Sequence, residues 1–347
     1  MHISSLRLRQ FRNYDDATFD LHEGVTAIIG PNGSGKTNIL EALYVMATGS
    51  SFRDREQELT RYGDDWWQLQ AQVDGVEREV RYQHGQKQLI QDGNTKLRIS
   101  KHMKLPVVLF EPDDLYMMHS SPQKRRDYLD YVTSISHTHH SAILRRYERA
   151  LRQRNALLKQ QRFDEDTLFV WDISLVDLAE QIVKNRLETI RAWQAALTPL
   201  YQAIADSHDI VSVQYHSVVT TTHYKSHLLQ ALKANIDRDR MIGSTSAGPH
   251  RDDVVFELNN HPVVTHASRG EVRSVVIALK QAELQTLGSV QNTKPVLLLD
   301  DVFSELDQTR QKKLLQNTSV TQMILTSTQI DAIHKAHVLI SSEYKTG

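Results

Sequence analysis

The chain has no cysteine in 347 residues. That absence excludes disulfide frameworks, zinc ribbons, iron–sulfur clusters and thiol catalysis, and it suits a reducing compartment. Proline (8) and glycine (14) are sparse, which excludes collagen-like and low-complexity disordered chains. No run of about 18 uninterrupted apolar residues is available to span a bilayer, and Met1 to Leu8 lack the apolar core of a secretion signal. The expected location is therefore the cytoplasm, with no membrane partner. Excess charge is missing as well: 41 Lys and Arg stand against 42 Asp and Glu, a formal net charge of −1. A uniformly basic nucleic-acid binder is excluded and only a local basic face remains possible.

What is present is the composition of a globular protein, 40% hydrophobic and 24% charged. Domains usually run to about 100 to 200 residues, so this length implies one large domain with an insertion, or two lobes. Leu6 and Leu8, then Ala17, Phe19 and Leu21, alternate as strands do, and the apolar run Val25 to Ile29 reads as a buried strand leading into Gly30. Trp66 to Leu97 read as an antiparallel meander with turns at Asp74-Gly75 and Asp92-Gly93. After Pro112 the period changes. Ser121-Pro122 is a helix start, followed by helical spacing from Leu129 to Leu158 and again from Leu175 to Ile204. Strand signals return at Val211 to Tyr215, at Val254 to Leu258 before Asn259-Asn260, and at Val296 to Leu299.

Gly30-Pro31-Asn32-Gly33-Ser34-Gly35-Lys36-Thr37 satisfies every required position of a phosphate-binding loop, after a buried strand and before a helix from Asn38 to Ala47. Glycines let backbone N–H groups converge on a β-phosphate at the positive end of that helix. Lys36 reaches the β- and γ-phosphates, and the Thr37 hydroxyl suits Mg²⁺. Such a loop needs a metal-positioning acid at the end of a neighbouring strand. Val296 to Leu299 followed by Asp300-Asp301 supplies it, with Asp300 for the Mg²⁺ shell and Asp301 to orient or deprotonate water. The short Asp301 side chain suggests slow hydrolysis.

Ser268-Arg269-Gly270-Glu271, opening a helix to Leu287, is a variant of the Ser-x-Gly-Gln/Glu signature of ABC-type ATPases, an element that caps the γ-phosphate bound on a partner subunit. Ser304-Glu305-Leu306-Asp307 follows the acid strand at the spacing of that class's interface element. Thr326, where transporters carry a switch His, is the candidate γ-phosphate sensor.

With these motifs in order, the chain resembles the RecF family of the ABC/SMC ATPases. The resemblance rests on Phe11-Arg12-Asn13-Tyr14, on Thr37 to Tyr44 and Ala47-Thr48-Gly49, and on Pro112 to Leu115 with Lys124 to Asp130. Gly248 to Asp253 and Asp300 to Asp307 complete it. Two positions depart from the family pattern. His119-Ser120-Ser121 replace a Gly before the Arg-Arg run, and Glu271 replaces Gln, where like-charge repulsion would weaken contact with a partner's phosphate.

The resemblance implies an α/β, ABC-type ATPase head of the Rad50-like kind, with mixed sheets around the phosphate loop, at 1–115 and 207–347 (lobe I). A helical arm at 116–206 (lobe II) interrupts it. It implies ATP with Mg²⁺, Arg12 as a further nucleotide contact, and an ATP-dependent homodimer. It implies binding to single-stranded and gapped DNA, RecR and RecO as partners, and weak hydrolysis used as a switch. Charge supports a DNA reading: between Lys124 and Arg162 stand ten Lys and Arg (124, 125, 126, 145, 146, 149, 152, 154, 159, 162) against three acids (127, 130, 148). The alternative is the nucleotide-binding subunit of an ABC transporter; a small-molecule kinase would leave Ser268 to Glu271 unexplained. Trp66-Trp67 and His137 to His140 are read as structural.

Overall fold

The computed structural model describes residues 1–91, 93–97, 103–160, 164–328 and 337–340. Asp92 of the second turn and Arg162 of the basic run lie outside the described residues. The chain divides into two compact units, Met1–Leu115 with Glu283–Gly347, and Tyr116–Ala282.

The first unit holds two sheets. One is antiparallel, in the order β2 (Tyr14–Asp20), β1 (Ile3–Phe11), β4 (Trp66–Val73), β5 (Val76–Gln83), β6 (Gln86–Gln91) and β7 (Asn94–Lys96). Alternation sends Trp67, Leu69, Ala71 and Val73 of β4 into the core and Trp66, Gln68, Gln70 and Gln72 outward. Asp74 and Gly75 both take positive φ, the mirror-image turn that a two-residue hairpin demands.

The other sheet is parallel, in the order β14 (His337–Ile340), β3 (Gly24–Ile29), β13 (Gln322–Ser327), β12 (Val296–Leu299) and β8 (Val107–Phe110). Its strands β12 and β8 are continuous apolar runs, as strands covered on both faces are. Helix α1 (Lys36–Thr48) packs against both sheets. Ile39, Leu40, Ala42, Leu43, Val45, Met46 and Ala47 are all buried in one cluster with residues of the two sheets, so this helix shows no polar face. The register of β12 against β13 and of β13 against β3 brings three strand ends together at Ile29, Thr326 and Leu299. Ligands of open parallel sheets bind beyond these carboxyl ends.

The second unit contains α2 (Pro122–Ser136), α3 (His140–Leu158) and the 41-residue α4 (Glu165–Ala205). The first helical run of the sequence is thus two helices broken at His137–His139, and the second is one. Ser121 is the N-cap of α2 with Pro122 at its first position, although the serine side chain makes no capping bond. Asp164 caps α4, accepting from the backbone of Asp166 and Thr167 at 3.2 Å each.

This unit does not stop at 206, where the sequence places the end of the arm. It continues to Ala282 through β9 (Val211–His216), α5 (Tyr224–Ala234), α6 (Ile236–Ile242), β10 (Asp253–Leu258), β11 (His261–Pro262) and α7 (Val263–His266). The reason is pairing: β11, β10 and β9 form their own three-stranded sheet, which among the described residues pairs with no other strand, and β9 packs on α4 and β10 on α2. Asn259 and Asn260, both with positive φ, make its hairpin turn. Helix α8 (Arg269–Gln291) follows, and the 3-10 turn Val302–Glu305 and α9 (Gln308–Asn317) come after β12.

Candidate functional site

The loop from Gly30 to Gly35 leaves β3 and enters α1 with Gly33 and Gly35 in the left-handed region, φ 77° and 97°. Gly35 has a second reason to lack a side chain. A Cβ there would lie 2.6 Å from Asn13 Nδ2, in the turn between β1 and β2, and 2.9 Å from Tyr14 Oη, at the start of β2. Tyr14 Oη also donates to the Gly35 carbonyl at 3.3 Å. Lys36 is buried, and its ammonium donates to the carbonyls of Gly30 (2.8 Å) and Pro31 (2.9 Å), holding the side chain back over the loop. Burial lowers its pKa, opposed by the nearby carboxylates of Asp301 and Asp300.

Across the strand ends, Thr37 Oγ1 and Thr326 Oγ1 each donate to Asp300 Oδ1 at 2.9 Å, and the Asp301 amide donates to Thr326 Oγ1 at 2.8 Å. Asp300 and Thr326 are buried. Asp301 sits at φ 50°, a left-handed conformation that costs a non-glycine residue about 1–3 kcal/mol. Its carbonyl is pinned by Ser304 Oγ at 2.7 Å. Burial raises the Asp301 pKa, partly offset by Lys36, which makes this carboxylate a better proton acceptor.

The chemistry of the set suits Mg²⁺. Two oxygens occupying adjacent corners of an octahedron with Mg–O near 2.1 Å stand about 3 Å apart. Thr37 Oγ1 and Asp300 Oδ1 already hold that spacing. Among the described residues no group of three or more His, Cys, Asp and Glu forms a metal site. A hydroxyl and one carboxylate, completed by water and phosphate oxygens, is the ligand set Mg²⁺ favours at nucleotide sites.

Ser268 and Gly270 lie in the second unit, at the start of α8. Ser268 is exposed. The Ser268 amide donates to Glu271 Oε2 at 2.6 Å, and the Glu271 amide donates to Ser268 Oγ at 3.3 Å. This reciprocal capping box explains Glu271: its carboxylate turns back onto the helix start. Either Glu or Gln can make that bond.

The geometry fits the chemistry of a nucleoside triphosphate with Mg²⁺, and comparison with known proteins identifies the lineage. The family model for the RecF/RecN/SMC N-terminal domain matches residues 2–346. The "DNA replication and repair protein RecF" of Desulfitobacterium hafniense is 34% identical over 99% of this chain and 98% of its own length. The chain belongs to the RecF family. The RecF of Flavobacterium johnsoniae is 32% identical over 91% and 90% of the two chains. Among solved structures, the recombination mediator protein RecF-ATPrS in the RecFOR pathway superposes with a TM-score of 0.85 at 26% identity, covering 98% and 96% of the two chains. RecF-ATP superposes at 0.83 and 28%, covering 96% and 93%. An Smc head domain from Pyrococcus furiosus, at TM-score 0.51 and 16% identity over 96% and 90%, shares the fold alone. The fold is that of an ABC/SMC ATPase head, and membership of a DNA replication and repair family sets aside the transporter and kinase readings.

The RecF-family blocks of the second unit meet in one polar network. Arg125 pairs with Asp253 through two bonds (3.0 and 2.6 Å) and donates to the carbonyls of Met118 and Ser120, which ties down the segment where the family glycine is missing. Arg126 donates to the Asp252 carbonyl at 2.6 Å. Buried Arg186 holds Asp130 through two bonds (2.8 and 2.7 Å) and reaches the Pro249 carbonyl at 2.8 Å. Tyr147 bonds His250 Nδ1 at 2.6 Å, and a Cβ on Gly248 would strike the Tyr147 hydroxyl at 2.5 Å.

This network changes the count behind the basic arm. Arg125, Arg126 and Arg154 are internal, Arg154 holding Asp172 and Asp239. Lys124, Arg145, Arg146, Arg149, Arg152 and Lys159 remain solvent-exposed. His140 is buried against Asp130 at 3.0 Å and His137 meets Glu188 at 3.5 Å, so tertiary structure supplies the acids that the local sequence lacks. Trp67 is buried edge-on to Phe11, and Trp66 lies under Arg9.

Arg12 is engaged within the protein. Its guanidinium grips buried Glu41 of α1 through two bonds of 2.8 Å, pairs with Asp54 and donates to the Glu58 carbonyl at 2.9 Å. Arg53 (2.7 Å) and Ser51 (2.6 Å) bond the same Glu41 carboxylate. Burial alone would raise the Glu41 pKa, but these donors outweigh it and hold the group below the usual carboxylate range. Sequence reading quoted Asn13 and Glu41 within family blocks but gave them no role, and it missed Arg53. The available signal was a glutamate one turn after Thr37, between the apolar Leu40 and Ala42 of α1.

Proposed function

We propose that this chain is an ATP-switched DNA-binding protein of recombinational and replication-gap repair, working in the cytoplasm as an ATP-dependent homodimer with RecR and RecO. The observation that carries the nucleotide part is the run Thr37–Asp300–Thr326–Asp301 laid across three strand ends behind a left-handed glycine loop. In this reading the backbone of Gly30 to Gly35 cradles the β-phosphate. Lys36 leaves the Gly30 and Pro31 carbonyls for the β- and γ-oxygens. Thr37 and Asp300 would hold Mg²⁺, which would supply neutralisation of the phosphate charge. Asp301 accepts a proton from the water whose oxygen forms the new bond to γ-phosphorus. The bond to the bridging oxygen breaks, and its electron pair leaves with ADP. Ser268 to Gly270 of a second copy cap the γ-phosphate, so ATP acts as a dimer bond. Arg12 acts on the nucleotide only after exchanging part of its Glu41 pairing.

DNA is assigned to the exposed cations of α3 and Lys124, and its single- and double-strand junctions are the expected target. Light scattering with and without ATP tests the dimer, with Ser268→Arg expected to abolish ATP-induced association; a variant that still dimerises normally refutes the assignment. A gel shift with gapped and duplex DNA at rising salt tests the arm. Four phosphate contacts among these cations predict a fall of roughly 20- to 50-fold for each threefold rise in salt. Slow hydrolysis is expected from the short Asp301 side chain.

A further inference from the structure

Thr326 was expected to sense the γ-phosphate, yet its hydroxyl is already committed. It has one proton and accepts the Asp301 amide at 2.8 Å, so that proton goes to Asp300 Oδ1 at 2.9 Å. The side chain is 1% exposed. Asp301 is held at both ends of its backbone, by Thr326 on the N–H and by Ser304 on the carbonyl, in the left-handed region, which aspartate tolerates better than most residues but still at a cost relative to ordinary φ. Releasing either hold lets that residue relax toward ordinary φ and takes its carboxylate with it.

We infer that Thr326 is a positioning residue that locks the two acids of the site into one geometry, rather than a direct sensor of the phosphate. It acts through Asp300 and Asp301, and β13 is the element that presents it, being hydrogen-bonded between the strand that carries the phosphate loop and the strand that carries the acids. Thr37 would hold Mg²⁺ through its hydroxyl oxygen, and its proton would then no longer be available to Asp300. The Thr326 bond then remains as the contact that aims the Asp300 carboxylate. This inference rests on the ATP reading of the site.

The test compares Thr326→Val, which keeps the shape and removes the hydroxyl, with Thr326→Ser, which restores it. Without nucleotide, hydrogen exchange at the Asp301 amide should quicken at least tenfold in the valine variant and stay within twofold of wild type in the serine variant. With ATP, Thr326→Val should lower kcat about tenfold or more and raise the Mg²⁺ concentration for half-maximal rate, while ATP affinity, read with a fluorescent analogue, changes less than threefold; losing one hydrogen bond to a charged group supports that size. Thr326→Ser should recover both. A valine variant that loses ATP affinity tenfold at unchanged kcat would restore the sensor reading, and wild-type amide exchange and kcat in that variant would refute the lock. If Thr326→Val does not fold, Ser304→Ala releases the other end of Asp301 and must slow turnover on the same argument; full activity there refutes it. A wild-type chain that neither binds nor hydrolyses ATP would instead overturn the reading of the site.

Discussion

Replacing Glu41 by alanine tests whether the site is built on a buried ion-pair network. Glu41 is fully buried on α1 and accepts four hydrogen bonds, two from Arg12, one from Arg53 and one from Ser51. Removing one member of such a set leaves buried cations unmatched, which costs about 3–5 kcal/mol. Arg12 and Arg53 are 17% and 35% exposed, so water repairs part of the loss and the lower end, about 3 kcal/mol, is expected. For a unit of this size that is a fall of about 6–12 °C in Tm, read by differential scanning fluorimetry of the nucleotide-free protein. Glu41→Gln keeps the volume and one acceptor and should fall between.

The pH dependence carries a second check. The Glu41 pKa is depressed in the fold, so its stabilisation is complete above the ordinary value of 4.5 and is lost as pH falls through the folded value. The Tm gap between wild type and Glu41→Ala should be constant above about pH 5 and close below it. A fall of less than about 2 °C, or a gap that does not depend on pH, refutes the network as a source of stability.

Other outcomes follow from the same geometry. His250 is buried with a pKa lowered to about 4 from 6.5, so the second unit is fully stabilised by it above pH 6.5 and loses about 2 kcal/mol by pH 5; urea midpoints should show that slope and His250→Gln should flatten it. Gly35→Ala should weaken ATP binding more than Gly33→Ala, because its Cβ meets the Asn13 and Tyr14 side chains at 2.6 and 2.9 Å and must displace them, whereas Gly33→Ala, with nothing within 4 Å, should cost only the left-handed strain; titration with a fluorescent ATP analogue separates them. Glu271→Gln should leave stability within about 0.5 kcal/mol and ATP-induced association unchanged, because the carboxylate serves the capping box; tenfold tighter association would show it meets the partner's phosphate instead.

Much of the nucleotide site was legible because its chemistry is local. Eight consecutive residues make the phosphate loop, and a buried strand can end on Asp300-Asp301 in few useful ways. The meander of β4 to β7 and the Asn259-Asn260 turn followed from period and turn residues. The basic arm misled in part, because a charge count cannot tell Arg149, which faces water, from Arg154, which is buried between two aspartates. The end of the second unit was also illegible, since β9 and β10 look like any strands until it is known which sheet they pair into.

By itself, the sequence determined the α/β class, a glycine-rich loop between a strand and a helix, a buried strand ending on two acids, and the RecF resemblance, each of which rests on short runs of residues adjacent in the chain. The tertiary structure alone decided what each polar side chain is bonded to. It placed Thr326 on Asp300 from 26 positions away and Thr37 on the same oxygen from 263. It closed Arg12 on Glu41 and turned Glu271 back onto its own helix. A motif specifies which donors and acceptors exist, but a buried donor must find a partner wherever the fold supplies one.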